Sequence, residues 1–149
     1  MFSILIVMPE IVVSEVQNQL KDLGIDNTNV VATEKGITIS IENIQFKADS
    51  AVLEESEKRK LEKIAKILAM YPDNDLLVSG HTALAGSVYS RQQLSEQRAQ
   101  AVASYLIELG VKDAYHIFSK GFGAEQPIAE NSTEAGRSRN RRVEITILN

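Results

Sequence analysis

Three groups of residues in this 149-residue sequence have types and spacings that bear on chemistry. The first is Gly80-His81-Thr82-Ala83-Leu84-Ala85-Gly86, expected where a buried strand ends and the next helix begins. That junction is a common place for ligand sites in α/β sheets. Two glycines permit a tight loop and expose backbone N–H groups near a helix N-terminus, which favours an anionic group such as a carboxylate. The second is Arg98, which falls on the apolar face of a predicted helix between Leu94 and Val102. A guanidinium there is costly unless it is paired or reaches a ligand. Guanidinium grips carboxylate bidentately, so a ligand contact and an internal salt bridge are both open readings. The third is Arg137, Arg139, Arg141 and Arg142. This basic cluster reads as a solvated loop and strand edge, or as a contact for a carboxylate-rich polymer or an acidic partner.

Catalytic and metal chemistry find little support. His81 and His116 are the only histidines, and neither sits in a zinc-binding spacing. His81 has the chemistry of a general base, but no serine or acid is placed by sequence to complete a triad. The plainer role for it is to hydrogen-bond backbone and shape the loop. With no cysteine, disulfides, thiolate metal sites and a cysteine nucleophile are excluded. Glu96 and Glu108 are paired acids only by helix register, so a hydrolase reading is weak. No cofactor or metal is implied, and a non-enzymatic binding surface is expected. The net charge of −4, with no aromatic residues between the arginines, argues against nucleic acid as partner.

These groups need a framework to position them. Val12, Val16, Leu20 and Leu23 recur at helical spacing, predicting a helix over 11–23 that Gly24 ends. Val30 to Ala32 reads as a strand and Glu34-Lys35-Gly36 as a hairpin turn. Ile37, Ile39 and Ile41 alternate with polar residues, predicting a half-buried strand that continues through Ile44 and Phe46 after a bulge at Asn43. Asp49-Ser50 offers helix caps for an amphipathic helix from Leu53 to Met70. Leu76 to Val78 is a short buried strand, and a second amphipathic helix runs from about Ser87 to Leu109 before Gly110. Its inner face is read as Leu94, Arg98, Ala101, Val102, Tyr105, Leu106 and Leu109. Tyr115 to Ser119 reads as a strand, 121–139 as a long loop, and Arg142 to Ile147 as the last strand. Strands alternating with helices predict an α/β sandwich, one sheet with helices packed on it. The apolar start, Met1 to Met8, is short, lacks a basic lead and is interrupted by Pro9-Glu10. It reads as neither signal peptide nor membrane span, but as a first strand or a cloning remnant; an exported parent would carry its leader further upstream.

Taken together, the motifs resemble the outer membrane protein A-like C-terminal domain (OmpA-like), a family that includes peptidoglycan-associated lipoproteins and the flagellar motor stator domain. The matching residues begin at Ile44-x-Phe46-x-x-x-Ser50-Ala51-x-Leu53 and continue through Ile64-Ala65, Pro72 and Gly80-His81-Thr82. They include Leu94-Ser95-x-x-Arg98-Ala99-x-x-Val102, Tyr105-Leu106, Gly121-x-Gly123, Pro127 and Asn131-x-Thr133. They end with Gly136-Arg137-x-x-Asn140-Arg141-Arg142-Val143-Glu144-Ile145. The resemblance implies a mixed sheet in βαβαββ order over 36–149, with residues 1–35 as an extension or the end of a preceding domain. It also implies noncovalent binding of the peptidoglycan stem peptide in the periplasm. In the family an Asp after the His-Thr pair takes the diamino acid's ammonium, and an Arg fifteen positions later takes its carboxylate. Arg98 falls on that Arg position, but Ala83 falls on the Asp position, and Arg91 stands where the family often has Asn. Losing one buried charge partner costs about 2–5 kcal/mol, or roughly thirtyfold to several-thousandfold in affinity.

The residues expected at a ligand site are therefore His81, Thr82, Ala83, Gly86, Arg91 and Arg98, with Arg142, and with Asp49 if the loop carrying it lies nearby. The leading expectation is an envelope binding module, part of a larger outer-membrane-associated or lipoprotein-anchored chain, whose diaminopimelate binding is weakened or lost at Ala83. The alternative is a structural or protein-interaction domain with a vestigial pocket, contacting other envelope proteins or domains.

Overall fold

The computed structural model describes residues 9–149, so the apolar segment from Met1 to Met8 lies outside the described residues. Helix α1, Pro9–Asp22, follows the stripe Val12, Val16 and Leu20, which are buried, and the chain leaves it through Gly24 at φ 70°. Strands β1, Thr28–Thr33, and β2, Gly36–Glu42, form an antiparallel hairpin closed at the Thr33–Gly36 pair. Helix α2, Glu55–Leu68, leads to β3, Leu76–His81, and then to the long helix α3, Val88–Glu108. Strand β4, Ile117–Gly121, a short helix α4, Glu134–Asn140, and β5, Arg142–Leu148, complete the chain.

The five strands form one mixed sheet in the order β1-β2-β5-β3-β4, in which only β3 and β4 run parallel. From β2 onward the elements follow the expected βαβαββ order, with α4 inserted before the last strand. Alternation along the strands sorts the faces. Ile37, Ile39, Ile41, Leu76, Val78, Val143, Ile145 and Ile147 join residues of α1, α2 and α3 in one core. The other face carries Thr38, Ser40, Ser79, His81, Arg142, Glu144 and Thr146, where the Thr38 and Thr146 hydroxyls meet at 2.8 Å. Among the described residues no helix is long and apolar enough to cross a membrane.

Several local expectations need correction. β2 stops at Glu42: Asn43 takes φ 53°, and its N–H bonds Ser138 O, so the chain turns instead of bulging. Phe46 then makes an isolated bridge to Leu53, and Lys47 N–H bonds Val52 O at 2.8 Å. Asp49 and Ser50 therefore occupy a closed turn and do not cap α2, whose N-cap is Glu54. The buried face of α3 is Ser95, Ala99, Val102, Ala103 and Leu106, rotated toward smaller side chains than expected. Gly80 explains this. It is a strand residue, and a Cβ there would collide with the carbonyl oxygen of Ser95. The helix lies almost on the backbone of β3, where only small residues fit.

Candidate functional site

The end of β3 and the start of α3 frame a cleft of about 630 Å³. Thr82 is buried, its N–H bonds Gly123 O at 2.8 Å, and among the described residues its hydroxyl has no partner. Ala83 is also buried, and Gly86 supplies the left-handed turn, φ 73°, into α3. Ser87 caps that helix in a reciprocal box with Ser90. Arg91, one turn in, donates to Gly86 O at 2.6 Å.

Arg98, further along α3, is half-buried. Its Nε donates to Ser50 O at 3.0 Å, and its guanidinium lies 4.6 Å from the centre of the Phe46 ring. Among the described residues it makes no ion pair. Burial pulls its pKa below the ordinary arginine value; the charge of Asp49 opposes that shift and the charge of Arg141 adds to it. Arg137 and Arg141, brought in by α4, also line the cleft, and both pair with Glu134, whose pKa their hydrogen bonds lower. Asp49 is the one carboxylate among the residues lining the cleft. The cavity is thus a cationic pocket with a single acid at its wall, fit for a carboxylate-bearing ligand.

The OmpA family matches residues 45–141, most of the chain and every wall of the cleft. The chain belongs to the OmpA family. It is 41% identical over 123 residues to a probable lipoprotein, YiaD, of Escherichia coli, covering 80% of this chain and 56% of that one. It is 40% identical over 104 residues to the peptidoglycan-binding protein ArfA of Mycobacterium tuberculosis, covering 70% of this chain and 32% of that one. Among solved structures it resembles the cell wall anchor of the T6SS from Pseudomonas aeruginosa, with a TM-score of 0.75 and 30% identity. That likeness covers 89% of this chain and 96% of the anchor. The chain spans about half the length of the lipoprotein and a third of the mycobacterial protein.

The OmpA-family cleft brings together Asp49, Thr82, Ala83, Gly86, Arg91 and Arg98 of the residues expected from sequence. It does not include His81 or Arg142. Side-chain alternation sends both to the polar face of the sheet, where they pair across β3 and β5. Arg142 is 3% exposed; it donates to Glu144 Oε2 and to Gln126 O, both at 2.9 Å. His81 stacks on Phe122 at 5.2 Å, with Nε2 3.5 Å from Glu144 Oε1. Burial favours protonation of Glu144, but Arg142, bonded to it at 2.9 Å, and His81, whose Nε2 lies 3.5 Å away, outweigh that cost and lower the carboxyl pKa to about 2. This cluster braces the sheet beneath the cleft.

Arg137 and Arg141 belong to the cleft but were read only as part of a basic cluster on a loop. A signal for the helix that places them exists: Thr133 as N-cap, Glu134 in the first turn, and Arg137 and Arg139 in the last. Asn140, on the same helix and fully buried, ties it to the loop before it. Its Oδ1 accepts from the N–H groups of Ile128 and Ala129, and its Nδ2 donates to Asn131 Oδ1, which also accepts from Leu84 N–H. Among the described residues no group of three or more His, Cys, Asp or Glu is placed to hold a metal ion.

Proposed function

We propose that this chain is a non-enzymatic module of the cell envelope that binds peptidoglycan through a stem-peptide carboxylate at the Thr82–Arg98 cleft. One observation carries the reading. Arg98 sits half-buried at the cavity, and among the described residues no carboxylate pairs with it. An internal ion pair would have made it structural. Instead, one backbone carbonyl and the face of Phe46 hold the guanidinium, leaving its remaining donors for a ligand. The likeness to a peptidoglycan-binding protein and to a cell wall anchor supports the same ligand class. A periplasmic setting, in a longer lipoprotein-anchored or outer-membrane-associated chain, follows from that reading. Ala83 offers a methyl group where the family places an acid, so position 83 contributes no grip on an ammonium.

A protein-interaction role is the second reading, favoured by the exposed side chains Leu84, Val88 and Tyr89 at the entrance to α3. Co-sedimentation with purified sacculi separates the two: a wall-binding module pellets with them and an interaction domain stays in solution. In the leading reading, Arg98→Ala weakens binding of a stem tetrapeptide by at least about thirtyfold, read by titration calorimetry. Undiminished binding by that variant would refute the site.

A further inference from the structure

We infer that Asp49 supplies the anionic half of the cleft that position 83 lacks. The cleft then takes a zwitterionic amino-acid head, with its ammonium on Asp49, its carboxylate on Arg98 and a second carboxylate of the same ligand on Arg91. This rests on the reading that the cleft binds a stem peptide.

The charges in the cavity lead there. Arg91, Arg98, Arg137 and Arg141 line it, and Asp49 lines it with them. Glu134 engages Arg137 and Arg141. Among the described residues Arg91, Arg98 and Asp49 form no ion pair, so two cations and one anion line the cavity without a counter-charge there, the arginines bonded only to backbone carbonyls. A simple anion would satisfy the arginines and be repelled by Asp49. A ligand with two carboxylates and one ammonium answers each charge with its opposite.

Placement leads there too. Asp49 sits in the turn closed by Lys47 N–H to Val52 O and by the Ser50 hydroxyl to Lys47 O. Its φ of 52° is left-handed, a conformation that Gly or Asn would adopt as readily and without charge. The next residue, Ser50, receives the Arg98 Nε–H. That bond ties the acid's turn to the cation's helix. Asp49 and Arg98 line the same cavity without pairing, and the charge of Asp49 acts on the guanidinium across it. The arrangement is preorganised, which lowers the ordering cost of binding.

The test uses the whole chain and two probes: a stem tetrapeptide containing meso-diaminopimelate, and the same peptide acetylated on the diamino acid's free side-chain amine. Calorimetric titration of the wild type is expected to show acetylation weakening binding by about thirtyfold or more. Asp49→Asn keeps the left-handed turn and removes the charge. It is expected to bind both peptides equally, at the affinity the wild type has for the acetylated one. The inference is overturned if Asp49→Asn binds the free-amine peptide as the wild type does, or if acetylation costs both proteins the same factor. Arg98→Ala keeps the two levels apart. Its loss of both peptides alongside an inert Asp49 sinks only the present inference. Wild-type strength in Arg98→Ala, or no binding of either peptide to the wild type, sinks the stem-peptide reading and this inference with it.

Discussion

At the scale of single residues, the molecule separates two arginines that look alike in sequence. Arg98 stands on a helix and Arg142 on a strand, both withdrawn from solvent. Arg142 has a protein carboxylate, Glu144, at 2.9 Å, whereas Arg98 meets a carbonyl and an aromatic face and, among the described residues, no carboxylate. The first is neutralised within the protein and the second is not, among the described residues, and sequence spacing alone does not separate them. The Glu144 cluster makes a pH prediction. Its carboxyl is depressed from 4.5 to about 2 by His81 and Arg142 against the cost of burial. A depressed acid contributes stability that is full above its unfolded value and is lost as pH falls toward its folded one. At complete burial that depression is worth about 3 kcal/mol; with the side chain 24% exposed, screening reduces it to roughly 2 kcal/mol. Urea unfolding should find Glu144→Gln less stable than wild type by about 2 kcal/mol at pH 7. The gap should narrow between pH 4.5 and pH 2 and close near the lower limit. A gap that ignores pH across that window would mean the loss comes from packing and not from charge.

At the scale of elements, the decisive contact is α3 lying on the glycines of the sheet. Cβ atoms at Gly80 and Gly121 would strike the backbone of Ser95 and Glu96, and Ser95 Oγ instead accepts the Gly123 N–H at 2.9 Å. Overpacking typically costs 1–3 kcal/mol, and here the obstacle is helix backbone, which cannot swing aside. Gly80→Ala is therefore expected to lower stability by about 3 kcal/mol in urea titration. It should also weaken peptide binding, because the helix that must shift carries Arg91 and Arg98; full affinity in a destabilised variant would show the cleft tolerates that shift. These contacts also mark where the sequence stopped being readable. Strict periodicity made α1, the β1–β2 hairpin, β3, the extent of α3 and β5 legible. What it could not give was which face of α3 turns inward, because glycines on the opposing strands set that, nor the turn at 47–52, because a cap signal and a turn signal use the same residue types. Helix α4 is almost wholly polar and has no apolar stripe to find. So Thr82 and Gly86 follow from the strand-to-helix rule and Arg98 from its place on a predicted helix face, while Arg137 and Arg141 read only as a basic cluster. Two other expected residues, His81 and Arg142, fell on the far face because one residue along a strand reverses direction.

At the scale of the whole molecule, the family match begins at residue 45, yet the fold described begins well before it. Val12, Val16, Leu20 and Val30 are buried in the same core as the central strands, and β1 pairs along the full length of β2. Residues 1–35 are proposed as an extension or the end of a preceding domain, which leaves open whether 36–149 stands alone. The energetics favour dependence. Burying an aliphatic side chain is worth about 1.5–3 kcal/mol, so losing four removes roughly 6–12 kcal/mol, the scale of an entire domain's stability. Deletion would also turn β2 into an unprotected edge with Ile37, Ile39 and Ile41 uncovered, an arrangement that promotes association. The consequence reaches the cleft, since β2 leads directly into the turn that carries Asp49 and receives Arg98. A chain starting at Gly36 is therefore expected to show no cooperative urea transition, to elute as aggregate in size exclusion, and to lose tetrapeptide binding. A sharp transition with retained affinity would instead establish 36–149 as self-sufficient and make α1 and β1 an added layer.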